Sequence, residues 1–450
     1  MSSSLTRREL LRRGAGAAGA ALLLPAAAGA QSPVPPPPDP ARMLKAVSLI
    51  GLANPYDDGY GVRPYLLGGA HPTDVVTMWI NWAELQPVRP EPFTLAQSFR
   101  DLGDPAGPGA AALAALDARI ALANADGRRV ALCAYQSFPS WSHAASALPG
   151  QGRLPDDARL PDDLGEDGPW AWFVAWTCAR YADAGGVKTP GPGRDGSPVG
   201  NPAAARVDWL QPMNEPNLAW WPQVSTTLPD GEIASAVARM MRTAATVAAR
   251  YRNGDALPRG PELLMPNTAD VVQDGSDRGT PWRTFTTDVL RHLSGWVPET
   301  PVGWSQHNYY DVKYGPQTEG PARGRWRAEE TVALLRAAGW PDPAVWLTEG
   351  GYQFDVRRAS ARPNHYVVDP TETADPQYPD AYAEQAAKLE RNWRAMAALP
   401  VRMWTQYLVN DFDVHFQSSL RGPLRTAPDG TAAPQEPPYP AYALWPTLTA

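Results

Sequence analysis

The chain has 450 residues, and 40 Lys and Arg against 47 Asp and Glu leave it with a net charge of −7. An acidic chain without a basic block argues against nucleic acid or an anionic membrane as a partner. The 50 prolines and 38 glycines predict many loops but stay below the level typical of disorder. With 44% hydrophobic residues and 18 Trp the chain can form a large core, and two cysteines exclude a disulfide scaffold.

The first thirty residues predict an export signal. A twin-arginine pair, Arg7-Arg8, precedes a weakly hydrophobic stretch over 14–28, and Ala28-Gly29-Ala30 fits a cleavage site. These features are typical of the bacterial twin-arginine (Tat) pathway, with an ordinary secretory signal as the alternative. We therefore expect a secreted or periplasmic protein.

A proline-rich linker over 31–43 follows the signal. No apolar run in the rest of the chain is long enough to span a bilayer, so we expect no membrane span in the mature form. The remainder, 44–450, is predicted to be one domain. Its oligomeric state is left open by the sequence.

Short apolar runs alternate with helical patterns through this domain. A parallel sheet closed into a (β/α)8 barrel is the fold typical of eight such repeats. The long segments 83–109, 137–168, 350–379 and 410–440 are expected to be loops at the carboxyl ends of strands. The predicted strands are 46–51, 74–82, 129–136, 207–213, 262–266, 302–309, 344–348 and 402–408, and the clearest predicted helices are 110–125, 169–184, 231–250, 282–293, 328–338 and 381–398.

Two glutamates stand directly after predicted strands. Glu215 follows the fourth strand and Glu349 follows the seventh, which places both at the mouth of the barrel on strands roughly opposite each other. Glycosidic bond cleavage needs such a pair, because one carboxylic acid protonates the leaving oxygen while the other attacks or stabilises the cationic anomeric carbon. Two nearby carboxylates do not both ionise cheaply, so one is expected to hold a proton.

The run Asn214-Glu215-Pro216, with Glu349 on a later strand, resembles glycoside hydrolase clan A. Together with Trp220-Trp221 it is similar to family 39 and to the family 5 cellulases. The resemblance covers the barrel, 44–450, and implies a retaining glycosidase acting on a β-linked polysaccharide, oligosaccharide or glycoside. It implies Glu215 as acid/base, Glu349 as nucleophile and Asn214 as a ligand of the sugar 2-hydroxyl. No cofactor or metal is expected, because the two carboxylates would do the chemistry.

The same resemblance extends to side chains around the pair. His307 and Tyr309, two residues apart on the predicted sixth strand, share a face and resemble the residues that orient the nucleophile and contact the sugar. Trp404 on the eighth strand resembles the platform on which the sugar stacks. Five further tryptophans are candidate sugar contacts, namely Trp79, Trp82, Trp141, Trp220 and Trp221. Ordinary core packing is the alternative for each of these aromatic residues.

The chain departs from the family 5 pattern in two places, because no Arg stands on strand two and no His ends strand three. A glycan-binding barrel without catalysis therefore remains an alternative, and a Tat-exported cofactor enzyme is a second one. Two more motifs have plainer interpretations. Cys133 and Cys178 are expected to be separate buried thiols, and residues 411–415 are expected to be a loop rather than a metal site.

Overall fold

The computed structural model describes most of the predicted barrel. The described residues are 42–49, 56, 59–134, 138–142, 168–182, 203–218, 232–250, 260–265, 267–270, 279–354, 381–411, 418–422, 425–426, 432–433 and 438–449. The predicted export signal and nearly all of the linker lie outside these residues. The division into signal, linker and barrel therefore stays a prediction.

Eight parallel strands close into a barrel in sequence order, with the first strand paired to the eighth. This confirms the predicted (β/α)8 fold. Each observed strand falls on a predicted one, although several are shorter. The strands are β1 (Leu44–Ser48), β2 (Val75–Ile80), β3 (Arg129–Ala134), β4 (Trp209–Gln211), β5 (Glu262–Leu264), β6 (Val302–His307), β7 (Val345–Glu349) and β8 (Val401–Tyr407).

Helices surround the barrel, and all six that were predicted are present with small changes at their ends. The described helices are α1 (Val62–Leu67), α2 (Trp82–Leu85), α3 (Leu95–Gly103), α4 (Ala110–Ala125), α5 (Pro169–Arg180), α6 (Glu232–Ala249), α7 (Trp282–His292), α8 (Tyr309–Tyr314), α9 (Arg327–Ala337), α10 (Ala381–Ala397) and α11 (Pro440–Leu444). A short antiparallel pair, Arg425–Thr426 with Ala432–Ala433, lies outside the barrel.

The segment 83–109 was expected to be a loop, and this expectation is wrong because it contains α3. The Thr94 hydroxyl accepts a hydrogen bond from the backbone N–H of Gln97 at 3.2 Å, which caps the start of the helix. The buried residues Ser98 and Leu102 are four apart and so lie on one face of the helix. The cap at Thr94 and the buried face of α3 therefore stabilise a helix within the segment that was expected to be a loop.

Alternation along the strands divides the core into two layers. One buried cluster fills the barrel itself and includes Leu44, Val75, Trp209 and Met403 from four different strands. A much larger cluster lies between the strands and the helices. Because each strand is covered on both faces, the strands are nearly continuous apolar runs, as parallel sheets require.

No helix among the described residues combines the length and the apolar character needed to cross a membrane.

Gly303 in β6 allows an aromatic ring to lie inside the barrel. A Cβ at this position would stand 2.5 Å from Nε1 of Trp346 and 2.8 Å from Cδ2 of Leu264. We expect Gly303→Ala to lower the free energy of unfolding by about 1–3 kcal/mol, because overpacking forces neighbours out of their rotamers. Denaturant unfolding checks this value.

Gly103, the last residue of α3, is the matched control for that substitution. A Cβ there meets nothing within 4 Å, so Gly103→Ala is expected to be neutral or slightly stabilising. Equal stabilities for the two variants would contradict the packing argument.

Candidate active site

Glu215 and Glu349 lie at the same end of the barrel, just beyond or at the ends of β4 and β7. Their side chains are each 12% exposed, so neither residue is closed off from solvent. An oxygen of each carboxylate lies within 4.8 Å of the other and of a ring nitrogen of His307. The closed sheet therefore brings together three predicted residues that are far apart in the chain.

A β-bulge directs Glu349 into the barrel. Val345 and Leu347 pack in the outer layer, and strict alternation would send Glu349 outward with them. The pairing of β6 with β7 shifts instead, because Gln306 pairs with Leu347 whereas the next residue, His307, pairs with Glu349. The extra residue on β7 reverses the alternation and places Glu349 opposite His307.

Glu215 has an irregular backbone of its own. Its φ is 42°, in the left-handed region that residues other than glycine seldom adopt. Such a conformation costs on the order of 1–3 kcal/mol and persists only where the surrounding structure imposes it. Strain of this kind is concentrated at functional sites.

His307 links the two carboxylates. Its ring is fully buried, and Nδ1 lies 2.9 Å from Oε1 of Glu215, a hydrogen-bond distance. Its Nε2 faces Oε2 of Glu349 at 3.9 Å, which is too long for a hydrogen bond but short enough for strong electrostatic attraction. One imidazole therefore fixes the relative position of both glutamates.

The charges around His307 determine its protonation. Burial lowers the pKa of His307, but the negative charge of Glu349, the hydrogen bond to Glu215 and the charges of Glu215 and Asp270 together raise the pKa above its usual value. The neighbouring carboxyl groups thus favour the protonated imidazole more than burial disfavours it.

Tyr309 contacts Glu349 by a different route from the predicted one. It was expected on strand six, on the same face as His307, but β6 ends at His307 and Tyr309 is the first residue of α8. Its hydroxyl nevertheless donates a hydrogen bond to Oε1 of Glu349 at 2.7 Å. Burial and the nearby charge of Glu349 raise the pKa of Tyr309, so the hydroxyl remains a donor.

Asn214 is buried beside Glu215 and is already hydrogen-bonded. Its side-chain oxygen accepts a hydrogen bond from Nδ2 of Asn267 at 2.6 Å and lies 3.8 Å from Sγ of Cys133. Only 2% of the residue is exposed. Its predicted contact with a sugar hydroxyl is not tested by the structure.

The expected stacking role of Trp404 is wrong. The ring is fully buried on the outer side of β8, where it packs against Trp393 and Trp445 at centroid distances of 5.8 and 5.4 Å. Its Nε1 donates to Oδ1 of Asn392 at 2.7 Å. Odd-numbered residues of β8, such as Met403, face the barrel interior, so the even-numbered Trp404 points to the helices.

Trp82 is also a core residue and not a sugar contact. It was expected on strand two but begins α2, and it stacks on Phe173 with ring centroids 4.7 Å apart. Only 1% of it is exposed. Among the other candidates, Trp141 packs edge to face against Trp82 with ring centroids 5.6 Å apart. Trp220 and Trp221 lie outside the described residues.

An aromatic cluster beside Glu349 includes the candidates Trp79 and Tyr309 together with Tyr407, which sequence reasoning missed. Tyr407 and Leu408 at the end of β8 are buried with Tyr309, and the half-buried ring of Trp79 packs against them. Tyr309 and Tyr407 are 5.9 Å apart in an edge-to-face arrangement. Trp79 is therefore the partly exposed tryptophan of this cluster. Its inward position on β2 was the signal available in the sequence.

Asp270, another residue that sequence reasoning missed, lies behind His307. Its Oδ2 accepts a hydrogen bond from the backbone N–H of Tyr310 at 2.6 Å. Burial raises the pKa of Asp270 to about 7, and the negative charge of Asp311 adds to this effect while Arg327 opposes it. Only its position a few residues after β5 could have suggested a role.

The remaining predicted features have structural explanations. Cys133 and Cys178 are separate buried thiols, as expected. Burial raises the pKa of the Cys133 thiol, and the charges of Glu349 and Glu215 add to the shift. In the 411–415 motif, Asp411 is buried and its Oδ1 accepts hydrogen bonds from the backbone of Ser418 and Ser419. The other acidic residue and the histidine of that motif lie outside the described residues.

Glu215, His307 and Glu349 are also close enough in space to bind a metal ion. Two of these side chains are joined by a hydrogen bond, and Glu349 accepts one from Tyr309.

No protein-family model matches the chain, and no curated protein does either. Similar solved structures include Fpglu1 from Fervidobacterium pennivoraus, at 13% identity and a TM-score of 0.48, covering 91% of this chain and 95% of that one. A hyperthermophilic β-glucosidase mutant shares 13% identity with a TM-score of 0.47, covering 91% and 100%. An endo-β-1,4-glucanase from Xanthomonas axonopodis pv. citri shares 13% with a TM-score of 0.44, covering 90% and 98%. The reaction must therefore be argued from this chain's own side chains.

The burial of Trp404 predicts that its substitution affects stability and not binding. We expect Trp404→Phe to lower the free energy of unfolding by about 1–3 kcal/mol, since it leaves Asn392 without its indole donor. Denaturant unfolding checks this value. Trp79→Phe is the contrasting variant and should lower stability less, since the Trp79 ring is only half buried. A Trp404→Phe protein of normal stability would contradict this assignment.

The raised pKa of Asp270 predicts that the free energy of unfolding depends on pH. Its pKa of about 7 in the folded protein exceeds its ordinary value of 3.8, so its contribution is fully present below pH 4 and is lost as the pH rises to 7. Asp270→Asn should remove this loss, which amounts to at most about 4 kcal/mol. Chemical denaturation at pH 4, 5.5 and 7 compares the two proteins. Parallel pH profiles would refute the prediction.

Proposed function

We propose that the chain is an exported, retaining glycoside hydrolase that cleaves a β-linked glycan or glycoside. The observation that carries the proposal is the position of Glu215 and Glu349, which meet at one end of the barrel on either side of the same buried imidazole. Neither carboxylate is fully exposed or fully buried, so both can meet a substrate while remaining oriented by the protein.

In the proposed reaction, a carboxylate oxygen of Glu349 attacks the anomeric carbon while the bond to the leaving oxygen breaks. Glu215 delivers its proton to that oxygen. Water then attacks the anomeric carbon and passes a proton to Glu215, and the bond to Glu349 breaks. Tyr309 orients the nucleophile through its hydrogen bond to Oε1 of Glu349.

The closeness of the two carboxylates supports the retaining course. Retaining enzymes hold their carboxyl groups about 5–5.5 Å apart, whereas inverting enzymes need about 6.5–9.5 Å to admit a water molecule. One oxygen of Glu215 lies within 4.8 Å of one oxygen of Glu349, a closeness that is compatible with the shorter range and with direct attack by Glu349.

Two parts of the proposal, the substrate class and the export route, are supported by the sequence alone. The β-linked class follows from the resemblance of Asn214-Glu215-Pro216 and Glu349 to clan A. Export rests on Arg7-Arg8 and the small residues before Gln31. Both parts belong to the proposal, with a secreted or periplasmic protein as the expected product.

The test is reducing-sugar release from a panel of β-glycans and aryl β-glycosides. We expect release by the wild type, no release by Glu349→Gln, and a loss in kcat/KM of about 100-fold or more for Glu215→Gln, since general acid catalysis contributes that much. Glu390→Gln, on the exposed outer face of α10, is the matched control and should retain full activity.

The alternative, a barrel that only binds glycan, gives a different result in the same experiment. It would release no sugar from any substrate, and titration calorimetry would show similar affinity for the wild type and for Glu349→Gln. Inversion of the anomeric configuration, followed by proton NMR, would contradict the retaining course while leaving the hydrolase intact.

A further inference from the structure

The strained backbone of Glu215 raises the question of what holds it in place. Glu215 has a φ of 42°, although it is not a glycine, and the next residue is Pro216. β4 ends at Gln211, and beyond it the pairing with the segment after β5 continues as an isolated parallel bridge between Asn214 and Asn267. The contacts between these two segments therefore determine where the carboxyl group points.

Asn267 provides the first of these contacts. It lies just beyond β5 and only 1% of it is exposed. Its Oδ1 accepts a hydrogen bond from the backbone N–H of Glu215 at 2.6 Å, and its backbone carbonyl accepts from the same N–H at 3.1 Å. Its Nδ2 donates to Oδ1 of Asn214 at 2.6 Å. The Asn267 side chain is thus hydrogen-bonded to both Asn214 and Glu215.

Asn217 provides the reciprocal contacts on the other side of Glu215. Its Oδ1 accepts from the backbone N–H of Ala269 at 2.9 Å, and its Nδ2 donates to the carbonyl oxygens of Ala269 at 3.0 Å and Thr280 at 3.1 Å. Asn217 is also 1% exposed. The two asparagines therefore join the segments after β4 and β5 from both directions, with Glu215 between them.

We infer that Asn267 and Asn217 form an asparagine clamp that positions Glu215 for proton transfer, an inference that rests on the proposed role of Glu215 as acid/base. The clamp acts through the backbone. It holds the strained peptide so that the Glu215 carboxyl group meets Nδ1 of His307 at one side and the opening of the barrel at the other. Both asparagines are positioning residues and not catalytic ones.

The clamp has a consequence that a purely structural role would not have. A displaced acid/base slows substrates whose leaving group needs a proton, and it matters little for leaving groups that depart as stable anions. Loss of the clamp should therefore be selective among substrates. A general loss of stability would instead lower the activity on every substrate by the same factor.

The test compares kcat/KM across aryl β-glycosides that share one sugar and range from dinitrophenyl to unsubstituted phenyl. For Asn267→Ala we expect a loss of about 10- to 100-fold on the phenyl glycoside, a part of what general acid catalysis supplies, and less than about threefold on the dinitrophenyl glycoside. Asn217→Ala should show the same pattern, and it keeps the test available if the first variant fails to fold.

Asn124→Ala is the matched control. The Asn124 side chain also joins two backbone segments, by accepting from the N–H of Arg206 at 2.8 Å and donating to the carbonyl of Arg128 at 3.3 Å. It stands near the end of α4, at the opposite end of the barrel from Glu215. Its loss is expected to lower stability without any dependence on the leaving group. A uniform loss for Asn267→Ala would overturn the clamp.

A second readout does not require activity. NMR titration of His307, assigned with His307→Gln, should show a lower pKa in Asn267→Ala than in the wild type, because Glu215 leaves Nδ1 while Glu349 and Asp270 remain. Asn124→Ala should leave the pKa unchanged. If the wild type hydrolyses no glycoside but this pKa falls, the proposed function fails, the role of the clamp in proton transfer fails with it, and only the positioning of Glu215 by the asparagines is supported. An active wild type with an unchanged His307 pKa in the variant overturns the clamp alone.

Discussion

The attraction between the buried imidazole of His307 and two glutamates is the interaction around which this site is organised. An isolated buried cation or anion would be expensive, and the three groups reduce that cost by sharing charge and hydrogen bonds. The pKa of His307 is raised although burial alone would lower it, which shows that the carboxylates outweigh desolvation. The position of each glutamate therefore depends on the other through the same ring.

Holding this arrangement requires irregular backbone on two sides. β7 accommodates an extra residue beside His307, and Glu215 adopts a left-handed conformation beyond the end of β4. Regular strands would send one carboxylate outward and leave the other on an unconstrained loop. The closed barrel supplies the rigid frame that can impose both irregularities. The strained elements and the proposed chemistry consequently coincide in space.

The aromatic residues show how burial separates packing from recognition. Trp404 and Trp82 are large and lie on strands or strand ends, yet both are enclosed by other rings. Trp79 lies on the inner face of β2 and remains half buried beside Tyr309. For all three tryptophans the sequence offered the same evidence of a sugar contact, namely the residue type and the strand on which each was predicted to lie. Only the side of the strand and the neighbouring helices distinguish them.

The sequence by itself determined the barrel, because eight apolar strands with intervening amphipathic helices have few other ways to bury their faces. It also indicated Glu215 and Glu349, since a charged residue directly after a buried strand must lie at a strand end. It failed where a strand end or the face of a strand matters: Tyr309 begins a helix beyond β6, and Trp404 lies on the outer face of β8. The tertiary structure alone decided the β7 bulge, the pairing of Asn267 with Glu215 and the burial of Asp270. These features arise from contacts between segments distant in the chain, which no local pattern encodes.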